Sequence, residues 1–181
     1  MEFITKNLKT VGIVNTILIV VALVARCITF ADSPAMIKAE SIIGAIGLIS
    51  GLIYAFNGYK KDAAKYYKLF MYTYVVISII SLIVEIVASK TMGVRALQFS
   101  FVIIPFICIC LLAFVKDFGK TKSITAIGIV LLINVIRFAR AIIKNTDLNI
   151  STVSLGNLVL AIIAFIFVVC KYADKEARGT K

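Results

Sequence analysis

Six long runs of apolar residues constrain the fold of this chain more than any motif in it. They cover residues 11–30, 41–58, 69–88, 96–115, 124–143 and 153–170. A helix that crosses a bilayer needs about 20 consecutive, mostly apolar residues. All six runs qualify, the second and sixth at the short end. The connections between them are too short to hold a soluble domain. The expected fold is therefore an all-α membrane protein, a single polytopic domain over residues 1–181. It is expected to be a six-transmembrane-helix bundle built as three hairpins.

Composition points the same way. The chain is 61% hydrophobic and 16% charged, whereas a soluble domain carries about 45–50% apolar and about 25% charged residues. That balance argues against a soluble enzyme, a nucleic-acid-binding domain and a disordered tail. The net charge of +11 comes from 20 Lys and Arg against nine Asp and Glu. It reads as the basic cytoplasmic loops of a membrane protein, and no nucleic acid is expected as a partner. A cleaved signal peptide is not expected either. Lys6 and Lys9 precede the first run, but the run is long for a signal h-region, and its lipobox-like end places Arg26 directly before Cys27.

The basic residues also set an orientation. With the N-terminus inside, the inner segments hold Lys6, Lys9, Lys60, Lys61, Lys65, Lys68, Lys116, Lys120, Lys122, Lys171, Lys175, Arg178 and Lys181. The outer loops hold only Lys38, Lys90, Arg95 and Lys144. This asymmetry predicts both termini in the cytoplasm. Tyr54, Tyr59, Tyr66, Tyr67, Tyr72, Tyr74 and Tyr172 all fall in the cytoplasmic half, as expected of an aromatic belt at headgroup depth. Heavy use of Ile and Lys suggests a bacterial source and a multi-pass location in the plasma membrane.

Each returning run ends in a basic cluster with one acid, and Lys60, Lys116 and Lys171 recur at spacings of 56 and 55. Arg26, Glu85 and Arg140 recur near the outer ends of the outgoing runs at spacings of 59 and 55. Either a threefold repeat of hairpins or the alternation forced by the topology accounts for this. The arrangement and the texture of residues 42–51 are similar to those of bacterial six-span acid-resistance proteins. Size and topology are similar to the substrate-binding components of energy-coupling-factor vitamin transporters. Those components show two small residues four apart on the first helix; here Arg26 follows Ala22 and breaks the pair. Neither likeness carries a specific motif, and the chain is assigned to neither family.

Four ionisable residues lie inside the runs: Arg26, Glu85, Arg137 and Arg140. A charge at a helix centre costs about 2.5–3.5 kcal/mol on insertion scales. Counted from the preceding inner lysines, all four stand roughly 22–27 Å above the cytoplasmic edge. Glu85 is expected to pair with one of the arginines, because an unpaired carboxylate would not stay charged there. Two cations then remain, and guanidinium forks match carboxylate and phosphate. Arg137 and Arg140, supported by Arg26, are thus candidates for an outer-leaflet site for an anionic small molecule or lipid headgroup. The competing reading is that these side chains snorkel to the headgroups, most readily at Arg26. Asn134 and Arg137 share a helix face; it and the deeper Asn15 are expected to bond neighbouring helices.

Gly44, Gly47 and Gly51 form a small-residue stripe expected to pack a helix closely, within the chain or in a homo-oligomer. Pro105 is expected to kink the fourth span. The chain has no His and no Trp, and its four Cys fall in or beside apolar runs. No paired carboxylates, nucleophile–base arrangement, metal-ligand cluster or phosphate loop is present. No enzyme activity, cofactor or metal is expected. Two functions remain. One is a small transporter, or a solute- or lipid-binding subunit, with an anion site. The other is a non-transporting accessory, assembly or stress-associated subunit that holds a membrane partner.

Overall fold

Runs of Ile, Leu, Val and Ala without polar alternation favour the conformation that satisfies backbone N–H and C=O groups within one segment, the α-helix. The computed structural model describes residues 8–31, 35–58, 63–92, 96–115, 118–143 and 148–179. Within these it describes the backbone alone at residues 8, 9, 11, 29, 36, 37, 40, 54–58, 63–67, 84–92, 96–99, 148–153 and 173–179. The described residues form six helices and no strand: α1 (Leu8–Phe30), α2 (Ala35–Gly58), α3 (Ala63–Met92), α4 (Ala96–Phe114), α5 (Lys120–Ile143) and α6 (Leu148–Gly179).

Five of the six helices outrun the apolar stretches that announce them; α4 does not. α3 begins six residues before its run and α6 continues nine beyond its own, because Ala, Lys and Glu propagate a helix into polar sequence. Pro105 lies inside α4, which continues on both sides of it. The turn into α5 uses Gly119 at φ 79°, a left-handed conformation that favours glycine. Its carbonyl accepts the Ser123 N–H at 3.1 Å, which starts the next helix.

Two helices are long and apolar enough to cross a membrane: α5, and the Ser154–Tyr172 part of α6. Over the described residues the apolar stretches of the other four are shorter: Gly12–Ile28, Ser41–Ile53, Lys68–Ile83 and Ser100–Phe114.

α6 is the central helix. It packs against α1, α2, α3 and α5, and α4 reaches only α3 and α5 among the described residues. Accordingly Val159, Leu160, Ala161, Ile163, Ala164 and Val168 of α6 are fully or almost fully buried. Phe167 stacks on Phe70 of α3 with ring centroids 5.1 Å apart. At the far end of α6, Tyr172 Oη and Ser123 Oγ of α5 share a buried hydrogen bond of 2.7 Å. The three hairpins are therefore unequal in their packing: only the last one contributes a helix to the centre. The other helices turn apolar residues outward at helical spacing, such as Ile42, Ile46, Ile49 and Ile53 on α2 and Leu132, Val135 and Ile136 on α5.

Candidate functional site

Gly44, Gly47 and Gly51 face the inside of the bundle, each against a different neighbour. A Cβ at Gly51 would stand 3.0 Å from Ile163 Cδ1 and 3.3 Å from Phe70 Cε2. One at Gly47 would collide with Ile77 Cδ1 and approach Leu160 Cδ2 at 3.4 Å. At Gly44 the neighbour is a charge. The guanidinium of Arg26 fills the space where a Cβ would be, and on its other side it occupies the equivalent space at Gly156 of α6. Arg26 Nη1 donates to the Ser41 carbonyl of α2 at 3.0 Å. Arg26 is 2% exposed.

This corrects the picture of Arg26 as a residue at the membrane rim. Its depth along α1 is legible from spacing; its direction is not. Two glycines on separate helices leave the space that the guanidinium fills, and the Ser41 carbonyl accepts one of its N–H groups. Arg26 also stands apart from Arg137 and Arg140, because α1 and α5 do not touch among the described residues.

Arg137 and Arg140 lie one turn apart on α5 and are both half-buried. The Arg140 guanidinium sits over the Phe101 ring of α4, 5.6 Å from its centroid, an arrangement in which the ring quadrupole attracts the cation. Arg137 belongs to the stripe that also holds Val130, Asn134 and Ala141, all three buried. The side chains of all nine Asp and Glu residues lie outside the described residues. The side chain of Glu85, the expected partner, lies outside the described residues, although its backbone is part of α3.

The two buried asparagines depart from the expected cross-helix bonding. Asn134 Nδ2 donates to the Val130 carbonyl of its own helix at 2.9 Å. Asn15 is 1% exposed, and neither its Nδ2 nor its Oδ1 has a hydrogen-bond partner among the described residues.

Tyr74 is the residue whose position the sequence concealed. It is 5% exposed, with its ring 5.9 Å from that of Phe70, and not part of an outward belt. The usable signal is helical spacing: Phe70, Met71, Tyr74, Val75 and Ile77 form one buried face of α3, and Tyr72 falls off it. Tyr72 is exposed and meets Phe114 at 5.6 Å. Cys108 is buried, Cys27 is exposed, and all four cysteines are free thiols.

No protein-family model, no curated protein and no solved structure matches this chain. The functional reading rests on the residues themselves.

Proposed function

We propose that this chain is a multi-pass protein of a bacterial plasma membrane, with six crossing helices and both termini cytoplasmic. In this reading it binds an anion at Arg137 and Arg140 of α5, as a small transporter or as a solute- or lipid-binding subunit. One observation carries the reading. Two guanidiniums stand a turn apart on a membrane-length helix, both half-buried, that of Arg140 over the Phe101 ring. Cations at such a depth are costly unless an anion meets them, and a carboxylate or phosphate suits two forks. The apolar outer faces of α1–α5 support the membrane setting, because a soluble bundle would present polar residues there.

The test replaces Arg137 and Arg140 together by Gln in the full chain. The measurement is retention of phosphatidylglycerol by native mass spectrometry, together with the thermal shift on adding inorganic phosphate. The wild-type chain should show at least one of these responses and the variant neither, with both folded. Equal responses in the two would remove the site.

A second reading has its own support in the Arg26 notch. Three helices locked around one cation suit a rigid subunit that stabilises a membrane partner and transports nothing. It predicts that a membrane protein co-purifies with the chain and that its recovery is unaffected by the Arg137 and Arg140 changes.

A further inference from the structure

Tyr72 falls off the buried face of α3 and meets Phe114 of α4 on the outside of the bundle. We propose that the outward seam of α3 and α4 binds one anionic phospholipid of the inner leaflet. Lys68 and Tyr72 hold its phosphate, and an acyl chain lies along the seam beyond them. The proposal rests on the membrane reading above, with its cytoplasmic termini, and is separate from the anion site at Arg137 and Arg140 of α5.

Packing supplies the place. α3 and α4 touch and are joined by only three residues, so they run antiparallel. The Tyr72–Phe114 contact, with ring centroids 5.6 Å apart, sets their register. Each step up α3 is then a step back along α4. The exposed residues of the two helices fall at matching levels: Val76 with Leu111, Ile79 with Ile107, and Ile83 with Ile104. The result is an apolar seam from position 72 to position 83 of α3, about 16 Å long. One leaflet of the hydrocarbon core is about 15 Å deep. The seam therefore spans the depth that one acyl chain occupies.

The polar end of the seam identifies the lipid. Lys68 and Tyr72 stand one turn apart on one face of α3, and both are exposed. Side chains on a helix lean toward its N-terminus, which in the membrane reading is the cytoplasmic end of α3. The ammonium and the phenol are thus carried together to headgroup depth. Both are donors, and phosphate oxygens accept from both. The seam itself does not choose between lipids, because any acyl chain fits it; the headgroup decides. A zwitterionic lipid carries its own cation beside the phosphate, so an anionic lipid gains more from Lys68. Free phosphate would use the donors and none of the apolar surface next to them. Two other basic residues lack this combination. One turn beyond Lys122, which is exposed on α5, stands the buried Ala126. The Lys38 ammonium lies over the Phe30 ring, 5.8 Å from its centroid.

A lipid on an exposed seam exchanges with detergent, so the experiment uses the full chain in phosphatidylcholine vesicles. The chain has no Trp, and a single one can be placed at will. Ile79→Trp reports on the seam and Leu132→Trp, on the outward face of α5, on ordinary lipid contact. Quenching by brominated phosphatidylglycerol is compared at each position with quenching by brominated phosphatidylcholine, which gives the preference for the anionic lipid there. The preference should be at least fivefold greater at position 79 than at 132. Added to Ile79→Trp, Lys68→Gln should cut it about fivefold, the worth of one basic residue at an anionic surface. Tyr72→Phe keeps the ring on Phe114 and should cut it about twofold, the loss of one exposed hydrogen bond. Lys122→Gln, and Arg137→Gln with Arg140→Gln, should leave it unchanged. Equal preference at positions 79 and 132 overturns the proposal. So does a loss with Lys122→Gln as large as with Lys68→Gln, which would mean diffuse attraction to a basic surface. A loss with the double arginine change would merge the two sites and overturn their separation. If neither lipid quenches either tryptophan, the membrane reading itself falls. Val76→Trp, one turn nearer the headgroup, repeats the measurement on the same seam should Ile79→Trp fail to fold.

Discussion

A guanidinium wedged between two glycine backbones leaves no room for a methyl group on either. Gly44→Ala and Gly156→Ala should each lower stability by about 1–3 kcal/mol, the usual cost of overpacking, read as thermal unfolding in neutral detergent. Arg26→Ala should cost more, because the Ser41 carbonyl loses its buried donor and a cavity opens. The double change Arg26→Ala with Gly156→Ala should then cost less than the sum of its parts. Strict additivity would mean that the notch is not shared. Asn15 gives the opposite expectation. Its amide atoms have no partner among the described residues, and an unsatisfied buried polar group costs about 1–3 kcal/mol. Asn15→Leu should therefore leave the melting temperature unchanged or raise it; a clear drop would show that the amide is bonded. At this scale the sequence reveals which residues are unusual but not which way they point. Gly44, Gly47 and Gly51 were legible because three glycines recur at helical spacing on one helix. Gly156 was not, since its partner is on another helix and no repeat on α6 announces it.

Helix number and order were readable from apolar run length, because that length is set by a backbone that must bond within itself. Helix ends were less so, since helices propagate through Ala- and Lys-rich sequence after the apolar run stops, as α3 and α6 do. The connection at Gly119 shows what remains testable here. Its φ of 79° is strained for any residue with a Cβ, although the space around it is open. Gly119→Ala should cost about 1–2 kcal/mol through backbone conformation alone, and Gly128→Ala, with equally open space and no positive φ, should not destabilise. Equal losses in the two would point to some other cause. The Ser123–Tyr172 bond ties the start of α5 to α6. Tyr172→Phe strands the Ser123 hydroxyl in a buried position and should cost about 1 kcal/mol, again visible as a lower melting temperature.

Across the whole molecule, helix adjacency was the part that one-dimensional spacing could not supply. A chain with three similar hairpins suggests three equivalent positions, whereas the packing gives α6 four neighbours and α4 two. Oxidative cross-linking in a background free of the native cysteines checks this directly. Cysteines at positions 51 and 163, where α2 and α6 meet across a glycine, should form a disulfide readily. Cysteines at positions 24 and 136, on the outward faces of α1 and α5, should not. The reverse pattern would rule out the central placement of α6. That placement also bears on how the protein is made. A chain leaves the ribosome from its N-terminus, so α6 emerges after every helix that it holds together. Until then the α1 and α2 halves of the arginine notch lack their third wall, and α1, α2 and α3 lack the helix that all three share. The expected consequence is that closure of the core comes late, after the earlier helices have met pairwise. Nascent chains arrested before α6 should remain sensitive to thiol reagents at cysteines placed on the faces that meet it, such as position 51, and become protected there once that helix is released.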